Sequence, residues 1–164
     1  MRARNEKVAK IGLCTGGGDC PELNAAVRAI VKHAIGTYGW QVMGIEESLT
    51  GLMSRPTKVR PLHFTDVSGV LDRGGTILRT KNDGSPFRGK PGEDNKAAKQ
   101  SIKLVTDAIQ SLSLDGLIVI GGDGTQGMAR VLHEHNVPII GVPKTIDNDL
   151  AGTEQCIGFA TAVD

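Results

Sequence analysis

Residues 114–127 read LDGLIVIGGDGTQG, and this stretch decides the fold. A short continuous apolar run of strand length ends in two glycines, an acid, a third glycine and a threonine. Met128, Val131 and Leu132 then follow at helical spacing, with Thr125 as the expected N-cap. A strand buried on both faces reads as an unbroken apolar run rather than an alternation. Two further runs have the same form. Residues 8–15 (VAKIGLCT) lead into GGGD, and residues 138–142 (PIIGV) lead into PKTIDND. Residues 41–45 (QVMGI) are a fourth, weaker strand. Between them Leu23, Ala26, Val27, Ile30, Val31 and Ala34 form one helical stripe ending near Gly36. Ala98, Ile102, Val105, Ile109 and Leu112 form another. Strand, glycine loop, helix, strand predicts an α/β domain: an open, mostly parallel sheet with helices on both faces, three-layered and Rossmann-like.

The rest of the composition narrows what such a domain does. At 164 residues one core is possible, burying roughly 70% of the unfolded surface. Nineteen basic residues against 18 acidic leave a net charge of +1. That balance argues against a nucleic-acid partner, which needs a clustered basic excess. No apolar stretch is long enough to span a bilayer or to serve as a signal peptide. Cys14, Cys20 and Cys156 are odd in number and lack metal-ligand spacing, so a reducing cytoplasm is expected. His133 and His135, two apart, fall on different helix faces and do not suggest a shared metal. Glycine is the outlier, 22 residues, nearly twice the usual ~7%, and it clusters. The polar stretch over residues 80–93 is the one long loop.

In an open α/β sheet, ligands bind beyond the carboxyl ends of the strands. Residues 16–19 (GGGD), 121–125 (GGDGT) and 145–149 (TIDND) all lie there. Glycines let successive backbone N–H groups turn toward an anion, and the following helix adds its positive end. For a single loop, a plain tight turn explains the glycines equally well; two loops, each with an acid at its exit, favour a polyphosphate. Asp123, directly after a buried strand, is placed to hold Mg²⁺ against phosphates. Asp147 and Asp149 supply carboxylates for proton transfer, with simple loop capping as the competing explanation. Gly122, Gly124 and Gly127 also spell the dinucleotide pattern G-x-G-x-x-G. That pattern wants an acid at the end of the very next strand, and Asp147 lies in the loop beyond it. Phosphoryl transfer therefore ranks above nucleotide oxidoreduction.

From Lys10 onward the chain resembles the phosphofructokinases. The resemblance rests on GGGDCPELNAAVRAIV near the start, RGGTIL at residues 73–78, IGGDGTQG at residues 120–127 and PKTIDNDL at residues 143–150. GGDGT alone is shared with NAD and lipid kinases, whereas PKTIDND together with GGDCPxLN is far more specific. By this resemblance Gly17 lies under the nucleotide phosphates. Gly122, Asp123, Gly124 and Thr125 form the second phosphate loop, with Asp123 on magnesium. Thr145 and Asp147 meet the sugar, Asp147 acting as base for its 1-hydroxyl, and Asp149 supports Asp147. Gly124 and Lys144 bear on the donor. A glycine at the first position goes with ATP, and a lysine at the second accompanies pyrophosphate use. An arginine that usually follows RGGTIL has Lys81, Asn82 or Arg88 as candidates here. The resemblance also expects a glycine where Glu22 stands, so a bulky acid either weakens the anion site or points to solvent.

The implied protein is the N-terminal, donor-binding part, residues 1–164, of an ATP-dependent 6-phosphofructokinase, with a C-terminal half missing. It would use ATP, Mg²⁺ and fructose 6-phosphate, and would be a cytoplasmic homo-oligomer when complete. A pyrophosphate-dependent enzyme and a non-catalytic nucleotide-binding fragment are the alternatives.

Overall fold

Every residue of β1 (Lys10–Thr15) after Lys10 is buried, and the strand pairs on both sides. The computed structural model describes residues 8–81, 86–87 and 95–164. Among these, five strands form one sheet in the order β3-β2-β1-β4-β5. β2 (Gln41–Ile45) and β4 (Gly116–Gly121) flank β1 in parallel, and β5 (Ile139–Pro143) pairs in parallel with β4. β3 (Val59–Leu62) closes the far edge antiparallel to β2.

Side chains of the central strands alternate between two cores. Ile11, Leu13, Val42 and Ile120 pack with Leu23, Val27 and Val31 of α1 (Leu23–Tyr38). Cys14, Ile45, Leu117 and Val119 pack on the other side. Their partners there are α3 (Lys96–Ser111) and α4 (Asp123–Glu134), through Ile102, Val105, Met128 and Leu132. Burying each such side chain contributes roughly 1.5–3 kcal/mol. Helices on both faces of a mostly parallel sheet are the three layers that the sequence predicts. The buried stripe on α1 ends at Ala34, while the helix itself runs past Gly36 to Tyr38. The helix stops where Gly39 (φ 66) turns left-handed and its N–H reaches the carbonyl of Ile35.

Some expectations need correcting. β1 starts at Lys10, not Val8, which is 54% exposed. β5 is not buried on both faces. It is the last strand of the sheet among the described residues, and Ile140 is 62% exposed. Thr125 is not the N-cap of α4: the helix opens at Asp123 after an extended Gly122. The short α2 (Thr50–Met53), β3 and α5 (Phe159–Val163) carry too little periodicity to read. No helix of the described residues is long and apolar enough to cross a membrane. Cys14, Cys20 and Cys156 are free and buried.

Candidate active site

Parallel neighbours β1, β4 and β5 end side by side, so the loops that follow them converge. The Gly16 N–H donates to the Ile120 carbonyl at 2.8 Å and the Lys144 N–H to the Gly121 carbonyl at 3.1 Å, binding the three strand ends together. Between the loops lies a cleft of about 410 Å³. It is lined by Gly17, Gly18, Asp19 and Cys20 from the first loop, and by Gly122, Asp123, Gly124, Thr125 and Met128 from the second. Lys144, Thr145, Ile146 and Asp147 line it from the third, with Lys81 at its side.

Two glycines differ in what their positions require. Gly17 has φ +81, a backbone that side chains disfavour. Gly124 has no heavy atom within 4 Å of where a Cβ would stand, so its backbone faces open cleft. Thr125 lines the cleft and, in place of the N-cap role read in the sequence, also packs beneath the loops. It is 3% exposed and fills the space left by two missing side chains. A Cβ on Gly16 would come within 2.8 Å of its Oγ1, and one on Gly121 within 2.5 Å of its Cβ. The glycines thus let the start of α4 close down on β1 and β4.

Lys144 is buried at 3% exposure, and its Nζ donates to the Gly18 carbonyl at 2.7 Å. Burial pushes its ammonium below the ordinary lysine range, partly opposed by the neighbouring Cys20 and Asp19. In the third loop the Asp147 N–H donates to Thr145 Oγ1 at 3.1 Å. Asn148, with φ 50, accepts from the Cys156 N–H at 2.8 Å and donates to the Glu154 carbonyl at 3.2 Å. The bonds shaping this loop among the described residues come from Thr145 and Asn148, not from the carboxylates of Asp147 and Asp149. Asp147 is exposed and lines the cleft; Asp149 is exposed and does not line it.

Three positioning features escape the sequence. Asn24, 3% exposed, donates to the Arg73 carbonyl at 3.0 Å and accepts from the Ile77 N–H at 2.9 Å. Thr15 Oγ1 lies 3.0 Å from both Thr76 Oγ1 and the Arg79 carbonyl. Together they sew residues 73–79 to β1 and α1 and bring Lys81 to the cleft; Asn82 and Arg88 lie outside the described residues. The third feature is Glu22, which is exposed, as one of the two expectations has it, yet is bonded rather than free. Its φ is 70, and its carboxylate accepts from the Gly158 N–H at 2.9 Å and from Thr161 Oγ1 at 2.5 Å. The Thr161 bond first, then the Gly158 bond, lowers its carboxyl below the usual range. Only pairing across 136 residues reveals that role. The sole local hint is an acid at a glycine-type position.

Fold and loops define the class: a three-layer α/β domain with two glycine loops and an acidic loop at the carboxyl ends of its strands. Residues 10–164 match the phosphofructokinase family, and the chain belongs to it. The ATP-dependent 6-phosphofructokinase of Chloroflexus aurantiacus is 48% identical over 157 residues, covering 96% of this chain and 43% of the relative. The pyrophosphate–fructose 6-phosphate 1-phosphotransferase of Amycolatopsis mediterranei is 40% identical over 154 residues, covering 94% and 42%. Among solved structures, Pichia pastoris phosphofructokinase in the T-state superposes with a TM-score of 0.80 at 31% identity, covering 96% of this chain and 17% of that one. The chain therefore spans less than half the length of the curated relatives it matches.

Proposed function

We propose that residues 1–164 form the donor-binding part of an ATP-dependent 6-phosphofructokinase. The reaction moves the γ-phosphoryl of ATP to the 1-hydroxyl of fructose 6-phosphate, giving fructose 1,6-bisphosphate, ADP and a proton. The observation that carries this reading is that Asp123, Asp147 and the glycines at 17, 122 and 124 line a single cleft.

The loop glycines receive the donor phosphates, their N–H groups turned toward the anion and the N-terminus of α4 behind them. Asp147, held by the N–H bond of its own backbone to Thr145, takes the proton from the attacking hydroxyl. Thr145 shares the sugar contact. Asp149 would act on Asp147 from outside the cleft. Mg²⁺, when bound, neutralises charge between the phosphates. Among the described residues no group of three or more His, Cys, Asp or Glu side chains could hold a metal. That fits magnesium, which keeps its waters and takes one or two carboxylates plus substrate phosphates; Asp123 is the residue to hold it.

Gly124 favours ATP over pyrophosphate, because its open flank leaves room for the rest of the nucleotide. Lys144 favours pyrophosphate, as does the resemblance to the Amycolatopsis enzyme. Its ammonium is engaged by the Gly18 carbonyl, which weakens that argument. The sugar-phosphate grip belongs to a C-terminal half, and the complete protein is read as a cytoplasmic homo-oligomer. Binding and turnover should be measured separately with ATP and with pyrophosphate. We expect the 164-residue chain to bind ATP without turning it over, and an enzyme carrying the other half to prefer ATP. In that enzyme Asp147→Asn should slow turnover about 10²–10⁴-fold with both substrates still bound. Unchanged turnover, or faster turnover with pyrophosphate, would defeat the assignment.

A further inference from the structure

The acidic loop is fastened to the first glycine loop at both of its ends. At its start, Lys144 reaches from the acidic loop to the Gly18 carbonyl at 2.7 Å. At its finish, Glu22, just past the glycine loop, reaches back to the Gly158 N–H at 2.9 Å and to Thr161 Oγ1 at 2.5 Å. Between these fixed ends the loop carries Asp147. The Thr145 N–H donates to the Ile157 carbonyl at 3.3 Å and the Ile157 N–H to the Pro143 carbonyl at 3.1 Å, so the two ends also run side by side. Glu22 holds a left-handed backbone, φ 70, where glycine would sit without strain. An unfavourable residue is thus kept at a position whose side chain makes two bonds to the far end of the acidic loop.

We propose that Glu22 is a positioning residue that couples the donor loop to the loop bearing Asp147, so that filling the donor cleft steadies the acceptor side. Its functional meaning rests on the reading of Asp147 and of the donor cleft given above. The carboxylate touches no reacting atom; it acts through Gly158 and Thr161. Glutamine can keep both contacts with one of them reversed: its amide oxygen accepts from the Gly158 N–H, and its NH2 donates to Thr161 Oγ1. Alanine loses them and keeps the strained backbone, whereas glycine loses them and relieves it.

Hydrogen exchange of the 164-residue chain tests this on wild type, Glu22→Gln, Glu22→Ala and Glu22→Gly, without ligand and with ATP plus Mg²⁺. Without ligand, exchange over residues 145–158 should be about fivefold faster in the Ala and Gly variants and restored in the Gln variant, the scale of losing one exposed charged contact. The denaturation midpoint of Glu22→Gly should meanwhile stay at or above wild type, because glycine accepts the backbone freely. A merely structural role would instead lower the midpoint and speed exchange throughout. Unchanged exchange over 145–158 in Glu22→Ala, or that uniform loss, overturns the proposal. With ATP, slowing over 16–20 and 122–126 should extend to 145–158 in wild type and Glu22→Gln, but not in Glu22→Ala. Slowing confined to the glycine loops in wild type overturns the coupling. If ATP slows neither glycine loop, the donor-cleft reading falls, and the ligand-free rates still decide the tether.

Discussion

Gly121 and Gly124 lie three residues apart around the start of α4, and the same substitution should move stability in opposite directions at the two. At Gly121 an added Cβ would stand 2.5 Å from Thr125 Cβ and 2.6 Å from both Cγ2 and Oγ1. Ordinary carbon contacts begin near 3.5 Å, so roughly 1 Å of overlap must be relieved. Rotation of Thr125 cannot relieve it, because the Cβ itself is in the way and moves only with the helix. The cost should lie at the upper end of overpacking, about 3 kcal/mol. At Gly124 nothing stands within 4 Å and the residue is helical, so alanine should stabilise by about 0.5–1 kcal/mol. At ~2–4 °C per kcal/mol for a domain of this size, Gly121→Ala should melt roughly 6–12 °C below wild type and Gly124→Ala slightly above it. Urea unfolding with unchanged m values checks that the change is in stability. Gly124→Ala should also weaken ATP binding, since its methyl enters the cleft. A neutral Gly121→Ala, or a destabilised Gly124→Ala with normal ATP binding, would refute this account of the loop.

Burial pushes the Cys14 thiol up to about 12, so almost no thiolate exists at pH 8. Its alkylation should follow global unfolding and rise with denaturant; prompt labelling of native Cys14 would contradict the fold. Asp66 accepts from the His63 N–H at 2.7 Å and pairs with Arg60 at 3.0 Å, the backbone bond first holding its carboxyl low. A lowered carboxyl stabilises above its unfolded value, near 3.8, and that contribution fades as pH falls through the folded one. The gap in urea midpoint between wild type and Asp66→Ala should therefore be steady above pH ~5 and close in acid. A gap that widens in acid would reverse the assignment.

The parts of the fold that could be read were those whose burial follows from local pattern. β2 matches its reading, and the stripes on α1 and α3 end up facing the two cores, because apolar spacing directly reports which face is covered. β5 misled for the same reason: Ile139, Ile140 and Val142 look like an interior strand, yet β5 is the last strand among the described residues and Ile140 is exposed. β3 was illegible because Arg60 and Pro61 belong to an edge, where only Leu62 needs burying. Within the site, glycines and acids mark the loops, and the cleft gathers most of the residues expected of it. What stayed hidden depends on partners far along the chain. Asn24 meets residues 49 and 53 positions away, and Glu22 meets a residue 136 away. Thr125 was misread because its role is fixed by what Gly16 and Gly121 lack, which no helix-start rule records.

That last arrangement limits how the sequence can drift. Thr125 occupies ground that Gly16, just past β1, and Gly121, at the end of β4, leave vacant. A side chain gained at either glycine is blocked while the threonine remains. A smaller residue in place of the threonine opens a gap that neither glycine fills. Three positions scattered over 110 residues are thus constrained together, with Ser48 Oγ, 2.7 Å from where a Cβ on Gly16 would stand, as a fourth party. Substitutions here should be tolerated only in matched sets.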